Sequence, residues 1–187
     1  MASKVDIRRE MTAKRSAFSA EDAAQACGYL CEKLAAVSLP ESSIIAAYSA
    51  VRGEVDLNQY VDACRVRNNP VCLPIVTESE LIMHFKEWLP FVPLEKGAFG
   101  VLEPLGGELV VPNVILVPLV AFDRRGFRLG YGKGYYDATI ASLKQNNPAL
   151  LTIGIAYSFQ EVDTLPDEPH DERLDMVVTE QEVIQIT

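Results

Sequence analysis

The segment that most constrains the fold is residues 114–122, nine positions without a charged or amide side chain. It is too short for a membrane span, which needs about 20 apolar residues, and Pro118 interrupts it. It also lacks the polar–apolar alternation of a strand with one wet face. Together with Asn113 it predicts a central strand over 113–122 buried on both faces, a pattern that belongs to parallel sheets covered by helices. The rest of the chain supplies those helices. Residues 4–18 read as a helix with Lys4, Arg8 and Arg15 on one face. Ser19 and Asp22 form a capping-box pattern opening a second helix, whose Ala23, Cys27, Leu30, Leu34 and Val37 repeat at core spacing.

Residues 44–49 read as a buried strand and 51–55 as a loop. Asp56 is placed to cap a third helix, with Gln59 at the capping-box position and Leu57, Tyr60, Val61 and Cys64 as its apolar stripe. Residues 71–76 read as a strand whose Pro74 points to a strand end or an edge. Leu81, Met83 and Phe85 recur with period two. Four prolines and four glycines over 90–112 make that stretch mostly loop. A helix over about 134–145, a strand over 151–157, an acidic loop over 163–175 and a short strand over 176–179 complete the chain. This alternation predicts an α/β fold: a three-layer sandwich with a mainly parallel sheet. At 187 residues it is one domain, with the helices of residues 1–38 packed on the α/β core. Ligands of such sheets bind beyond the carboxyl ends of the strands, so the loops after Ser49 and after Phe122 are the first places to look.

The net charge of −9 speaks against nucleic acid and anionic membranes as partners, though a local basic pocket remains compatible with it. Cys27, Cys31, Cys64 and Cys72 form no CxxC pair and His84 and His170 lie at no zinc-finger spacing, so the cysteines read as core thiols in a reducing cytoplasm. No secretory signal is visible at the start.

Chemistry concentrates in residues 117–137. Gly130, Gly132 and Gly134 alternate immediately before a helix, with Arg128 and Lys133 among them. Alternating glycines let backbone N–H groups converge on an anion, and the helix start adds partial positive charge. The spacing is neither the dinucleotide GxGxxG nor the Walker A loop. The residues alone leave a tight strand-to-helix turn as the alternative to a polyphosphate cradle. Asp137, in the first helical turn, either complements the helix dipole or holds Mg²⁺ beside a phosphate. Tyr135 and Tyr136 are either core or ligand-stacking groups. Asp167, Glu168, Asp171, Glu172 and Asp175 are mostly solvated, with one available to complete a metal shell.

Residues 118–137 closely resemble the signature of the 5-formyltetrahydrofolate cyclo-ligase family, approximately P-G-x-A-F-D-x-x-G-x-R-L-G-x-G-x-G-Y-Y-D, with Leu119 where glycine is common. Lys4-Val-Asp-Ile-Arg8 resembles the family's K-x-x-L-R, with Ile7 in the leucine place. The stretch from Tyr48 to Glu54-Val55-Asp56, the run Phe99 to Pro104, and Leu165-Pro166 with His170-Asp171 match further family elements in order and approximate spacing. The resemblance implies an α/β sandwich like that of the sugar-phosphate isomerase and CoA-transferase superfamily. It also implies the reaction of ATP and 5-formyltetrahydrofolate, with Mg²⁺, to 5,10-methenyltetrahydrofolate, ADP and phosphate. By that resemblance Lys4, Arg8, Arg128, Gly130, Gly132, Lys133, Gly134 and Tyr136 bind ATP, and Asp137 and Asp171 bind Mg²⁺. Tyr48, Glu54, Phe99, Tyr131 and Tyr135 contact the folate, Glu54 through the pterin N–H groups. Arg8, Lys133 and Tyr135 carry the catalysis. Tyr131 stands where some members have arginine. The expected partners are ATP and the folate, with or without a polyglutamate tail, and a cytoplasmic monomer is expected. Two other readings are a reduced-folate or nucleotide binding protein without turnover, and a related ATP-dependent enzyme acting on another heterocycle.

Overall fold

A computed structural model describes residues 3–187. Helix α1 (Lys4–Ala17) begins at Ser3, whose hydroxyl accepts the Asp6 N–H. Helix α2 (Ala20–Ala35) begins at Ser19, whose hydroxyl accepts the Asp22 N–H at 3.0 Å and donates to the Asp22 carboxylate at 2.6 Å. There follow β1 (Ile45–Ala46), α3 (Asn58–Val66), β2 (Val71–Ile75), β3 (His84–Glu87), β4 (Leu94–Lys96), β5 (Leu102–Pro104), β6 (Leu109–Val110), β7 (Val114–Pro118), β8 (Ala121–Phe122) and β9 (Arg128–Leu129). Helix α4 (Tyr135–Asn146), β10 (Leu151–Ile155), β11 (Met176–Val178) and β12 (Val183–Gln185) close the chain.

The main sheet runs β12-β11-β10-β7-β1-β2-β3-β6. Its centre, from β11 to β2, is parallel, and β12, β3 and β6 join antiparallel at the two sides. The strands alternate between two cores, as the apolar run requires. Ile45, Val71, Val114, Leu116 and Ile153 pack with Leu30 and Leu34 of α2 and Tyr60 and Val61 of α3. Ala46, Cys72, Ile115, Val117 and Val177 pack on the other face with Ile140 of α4. Helix α1 lies on neither face. Its Ile7 and Met11 pack on Val120, Ala121 and Leu129, in and beside the separate β8–β9 hairpin.

The path of the chain places a crevice between β1 and β7. From β1 the chain crosses through α3 on one face to β2. From β7, on the other side of β1, it crosses through α4 on the opposite face to β10. The two connections diverge, and a parallel sheet is open to ligand at such a point.

Several sequence expectations are corrected. The strand expected over 113–122 stops at Pro118 and a second strand begins at Ala121, because Leu119 and Val120 turn the chain out of the sheet into the β8–β9 hairpin. Arg128 and Leu129 of the glycine-rich loop pair in that hairpin. Residues 90–112 are mostly loop as expected, but they also hold the β4–β5 hairpin, a 3-10 turn at Ala98–Gly100 and edge strand β6. Asp56 is not the N-cap. Leu57 is, and Asp56 accepts the Asn58 N–H at 2.7 Å two residues on. Strand β12 carried no sequence expectation. Pro74 sits inside a sheet strand, but on a local edge: the Ala47 N–H binds the Cys72 carbonyl and β1 pairs no further, so the side of β2 that Pro74 shares with Cys72 has no strand to bond.

The turn leading into the glycine loop is fixed by Asp123, whose carboxylate is fully buried. It accepts from the N–H groups of Arg125, Phe127 and Leu165 and from the Arg125 guanidinium. Arg125 is half exposed and can be solvated, but the Leu165 donor is buried. Asp123→Ala is therefore expected to cost about 2 kcal/mol through unpaired donors. Urea unfolding checks this, and a loss below about 0.5 kcal/mol would show that water replaces the carboxylate.

Candidate active site

Three segments meet at the crevice: the loop after β1, the glycine loop after β9, and α1 lying across both. The glycine loop needs its glycines at two points. Gly132 has φ +89°, and a Cβ there would lie 3.2 Å from the Arg8 guanidinium. Gly134 has φ +76° and is the N-cap of α4, with no side chain to cap it. The first N–H groups of α4 are thus left for an anion. Arg8 reaches the loop from α1, its Nε donating to the Gly130 carbonyl at 2.8 Å. Among the described residues its terminal nitrogens have no acceptor. Lys133 makes no ion pair among the described residues; its Nζ lies 3.1 Å from the centroid of the Phe99 ring. Phe99 is 53% exposed and packs edge-tilted against Tyr135 at 6.0 Å. The Tyr135 hydroxyl donates to the Thr77 carbonyl beyond β2 at 3.3 Å. Arg8, Lys133 and the start of α4 form a cradle with positive charge available.

The other charges of the site are paired. Arg128, its side chain only 4% exposed, donates to the Asp137 carboxylate at 2.8 Å and to the Glu172 carbonyl at 2.6 Å. Asp137 also accepts the Glu172 N–H on the same oxygen. Arg128 therefore clamps α4 to the β10–β11 connection, with its charge spent on Asp137. Lys4 donates to Asp171 at 3.0 Å and to Glu168 at 3.1 Å. Partial burial works against the Lys4 charge, but these carboxylates outweigh it and hold its pKa above the ordinary lysine value. Burial likewise opposes the Asp171 charge, and Lys4 and the Glu168 N–H hold that carboxyl below its usual range.

Asp137 and Asp171 were expected to bind Mg²⁺. No group of three or more acidic, histidine or cysteine side chains suited to a metal occurs among the described residues. Asp137, however, binds its protein donors through Oδ1 alone, and Asp171 takes the Lys4 and Glu168 donors through Oδ2, with its Oδ1 4.0 Å from His170 Nε2. The second oxygen of each accepts no hydrogen bond among the described residues. That donor set fits a Mg²⁺ that draws its remaining ligands from phosphate and water.

Glu54 comes from the loop after β1, where Arg52 and Gly53 both take positive φ. Its carboxylate accepts the Val51 N–H at 3.0 Å. Burial pushes the carboxyl above the ordinary glutamate value; the Val51 N–H, Arg15, Tyr131 and Arg52 pull it back without cancelling that effect. Tyr48 and Tyr136 also face Glu54, and their hydroxyls are raised well above the usual tyrosine range by burial first and by the Glu54 charge second. The Tyr48 hydroxyl donates to the Val55 carbonyl at 2.9 Å, which fixes the loop, while its ring lines a cavity of about 280 Å³ with Leu57, Trp88, Leu94 and Leu102. A second recess of about 190 Å³ lies away from these groups, between the β3–β6 edge and Leu143 of α4. Sequence reasoning placed Arg15 on the basic face but gave it no role, and passed over Arg52. Arg15 is 4% exposed and its guanidinium donates to the Arg52 carbonyl, the Leu119 carbonyl and the Tyr131 hydroxyl. Its spacing from Lys4 and Arg8 was the available signal.

Fold and site together define an α/β protein in which an uncapped helix start, cations without acid partners among the described residues and a partly buried carboxylate gather at the switch point of a parallel sheet. A model of the 5-formyltetrahydrofolate cyclo-ligase family matches residues 1–180. The Haemophilus influenzae 5-formyltetrahydrofolate cyclo-ligase is 35% identical over 135 residues, covering 68% of this chain and 70% of its own. The Mycoplasma pneumoniae one is 30% identical over 179 residues, covering 94% and 97%. Among solved structures, the 5,10-methenyltetrahydrofolate synthetase of Aquifex aeolicus superposes with a TM-score of 0.81 at 34% identity, covering 98% of this chain and 92% of that one. The chain belongs to the 5-formyltetrahydrofolate cyclo-ligase family.

A carboxyl that holds its proton more tightly folded than unfolded costs stability above its unfolded pKa and nothing below it. Glu54→Gln is therefore expected to raise Tm at pH 7. The gain should shrink as pH falls from the raised folded value towards the ordinary ~4.3. Calorimetry across that range checks it; a lower Tm at pH 7 would make Glu54 a structural carboxylate.

Proposed function

We propose that this chain is the ligase its family name describes, converting 5-formyltetrahydrofolate and ATP to 5,10-methenyltetrahydrofolate, ADP and phosphate. The observation that carries this reading is the convergence of Glu54 and the glycine cradle on one crevice, from connections that leave the sheet in opposite directions.

The formyl group on N5 is a poor electrophile because the nitrogen lone pair is delocalised into the carbonyl. Transfer of the γ-phosphoryl group to the formyl oxygen breaks the bond to ADP and leaves an iminium carbon. N10 of the same molecule attacks that carbon and loses its proton. The C–O bond then breaks, phosphate leaves, and the methenyl cation remains. Every step is intramolecular or in line, so the protein works by positioning and charge. Arg8 and Lys133 hold the phosphates, with the open N–H groups of α4 and the backbone of Gly130, Gly132 and Gly134 beneath them. Lys4 joins them when Asp171 takes another cation, and Arg128 and Tyr136 support the cradle from behind. Asp137 and Asp171 would hold Mg²⁺, which supplies charge neutralisation to the transferred phosphoryl group. Glu54 accepts the pterin N–H donors, and Tyr48 lines the recess that takes the apolar part of the folate. Phe99, Tyr131 and Tyr135 close over the folate, with Tyr135 and Arg8 nearest the formyl group. The protein acts as a cytoplasmic monomer on folates with or without a polyglutamate tail. Four free cysteines support a reducing compartment, and no helix among the described residues is long and apolar enough to cross a membrane.

A turnover assay that follows the near-ultraviolet band of the methenyl product tests this. The rise should require folate, ATP and Mg²⁺ together. Lys133→Ala should lower kcat/KM for ATP about a hundredfold, and Asp137→Asn should raise the Mg²⁺ concentration needed. Tight folate binding without product would favour a binding protein. ATP hydrolysis stimulated by a different heterocycle would favour another enzyme of the same fold.

A further inference from the structure

We propose that Arg15 is a positioning residue: from helix α1 it fixes the Tyr131 hydroxyl beside Glu54, so that three segments of the chain form one folate-binding unit. The inference rests on the reading of Glu54 as the pterin's partner and extends it to a residue that touches no substrate.

Arg15 is an unusual helix residue. It lies in the last turn of α1 and is 4% exposed, on the same side as Ile7 and Met11. A buried guanidinium is costly unless its donors are met. Here they are met by groups from three places. Nε donates to the Arg52 carbonyl at 2.9 Å, NH1 to the Leu119 carbonyl at 3.4 Å, and NH2 to the Tyr131 hydroxyl. Arg52 and Leu119 belong to the connections after β1 and β7, and Tyr131 to the glycine loop. No carboxylate lies within ion-pairing distance of Arg15 among the described residues. Its charge is therefore directed at the site rather than cancelled in the core.

The geometry around Tyr131 points the same way. Arg52 covers its ring at 5.0 Å, and Arg15 lies 5.9 Å from the same centroid. The ring is thus braced by two guanidiniums while its hydroxyl accepts from Arg15. An oxygen that accepts from Arg15 has its own proton to give, and the Arg52 carbonyl that Arg15 also holds lies two residues before Glu54, so the Tyr131 hydroxyl is kept against the Glu54 turn; Arg15 and Tyr131 both favour the ionised form of that carboxylate. Glu54 Oε2 accepts the Val51 N–H, and Oε1 accepts no hydrogen bond among the described residues, so Arg15 and Tyr131 brace a carboxylate with one oxygen still open to a substrate donor. Arg15 also packs under the loop itself. A Cβ on Gly53 would lie 3.4 Å from Arg15 Cγ, with φ +74° at that position, so the strained 52–53 turn rests on the Arg15 stem.

The test compares Arg15→Met, Arg15→Lys, Tyr131→Phe, the Arg15→Met/Tyr131→Phe double variant and Glu54→Gln in steady-state kinetics with 5-formyltetrahydrofolate and ATP, with Tm for each. Arg15→Met and Tyr131→Phe should each raise KM for the folate about tenfold, with KM for ATP changed less than about twofold. The double variant should be no worse than the single ones, because the two residues act as a unit. Arg15→Lys should recover part of the loss. An unchanged folate KM in Tyr131→Phe, which removes one oxygen and leaves the fold intact, would overturn the proposal even if Arg15→Met does not fold. So would multiplicative effects in the double variant, or equal loss for folate and ATP. A large folate effect of Glu54→Gln beside none at Arg15 and Tyr131 would leave the reading of the site standing and remove this inference. No folate effect of Glu54→Gln would remove the reading itself.

Discussion

The arrangement depends on one topological constraint: β1 and β7 are adjacent and parallel, but the chain leaves them towards opposite faces. Two connections that diverge cannot fill the space between them, so the carboxyl ends of these strands stay open. Everything polar in the site is arranged around that opening. Glu54 comes from one connection and the glycine cradle from the other. The two meet where Arg52 covers the Tyr131 ring, and α1, packed on the β8–β9 hairpin through Ile7 and Met11, sends Arg8 and Arg15 to both. The N-terminal helix is thus a wall of the site rather than a layer of the sandwich.

Much of this was legible in the sequence because the relevant signals are local. The alternation of helix and strand gave the fold class. Gly130, Gly132 and Gly134 before a helix gave the open turn on which the anion cradle is proposed, since the left-handed backbone of Gly132 and Gly134 and an uncapped helix start are properties of neighbouring residues. The chain's turn out of the main sheet at Leu119 and Val120 was not legible: both are as apolar as the strand before them, and both are buried. What turns there is the hydrogen bonding, with Val120 N–H pairing to the Leu129 carbonyl and the buried Gln160 amide taking the carbonyls of Leu119 and Val120. Those partners lie far along the chain. The β4–β5 hairpin was hidden for a different reason. Its prolines and glycines sit largely in the turns, and its strands are only three residues long.

The site residues divide in the same way. The residue types of Lys133 and Arg8 announced a cation, and the structure leaves both available. Arg128 announced one too, yet its charge is committed to Asp137, nine positions along and brought to it by the first turn of α4. The pairing of Lys4 with Asp171 spans nearly the whole chain and has no local signal. Arg15 was the hardest to read: an arginine near a helix end is ordinarily solvent-facing or stabilises the helix C-terminus, and only the positions of Arg52, Leu119 and Tyr131 distinguish it.

A chain of net charge −9 must bind a polyanion without being repelled by its own surface. The site resolves this by keeping positive charge in two forms. On the proposed function, Arg8 and Lys133, which have no acid partner among the described residues, would attract the anion at once. Lys4 and Arg128 are held by Asp171 and Asp137, and a divalent cation on the oxygens of those aspartates that accept no hydrogen bond among the described residues would weaken that hold while adding positive charge of its own. Anion and cation would then favour each other's binding, because each relieves a repulsion the other would face alone. On the proposed Mg²⁺ role, the same two aspartates that pair with Lys4 and Arg128 in the free protein would be the groups through which a metal–nucleotide pair is preferred over either partner separately.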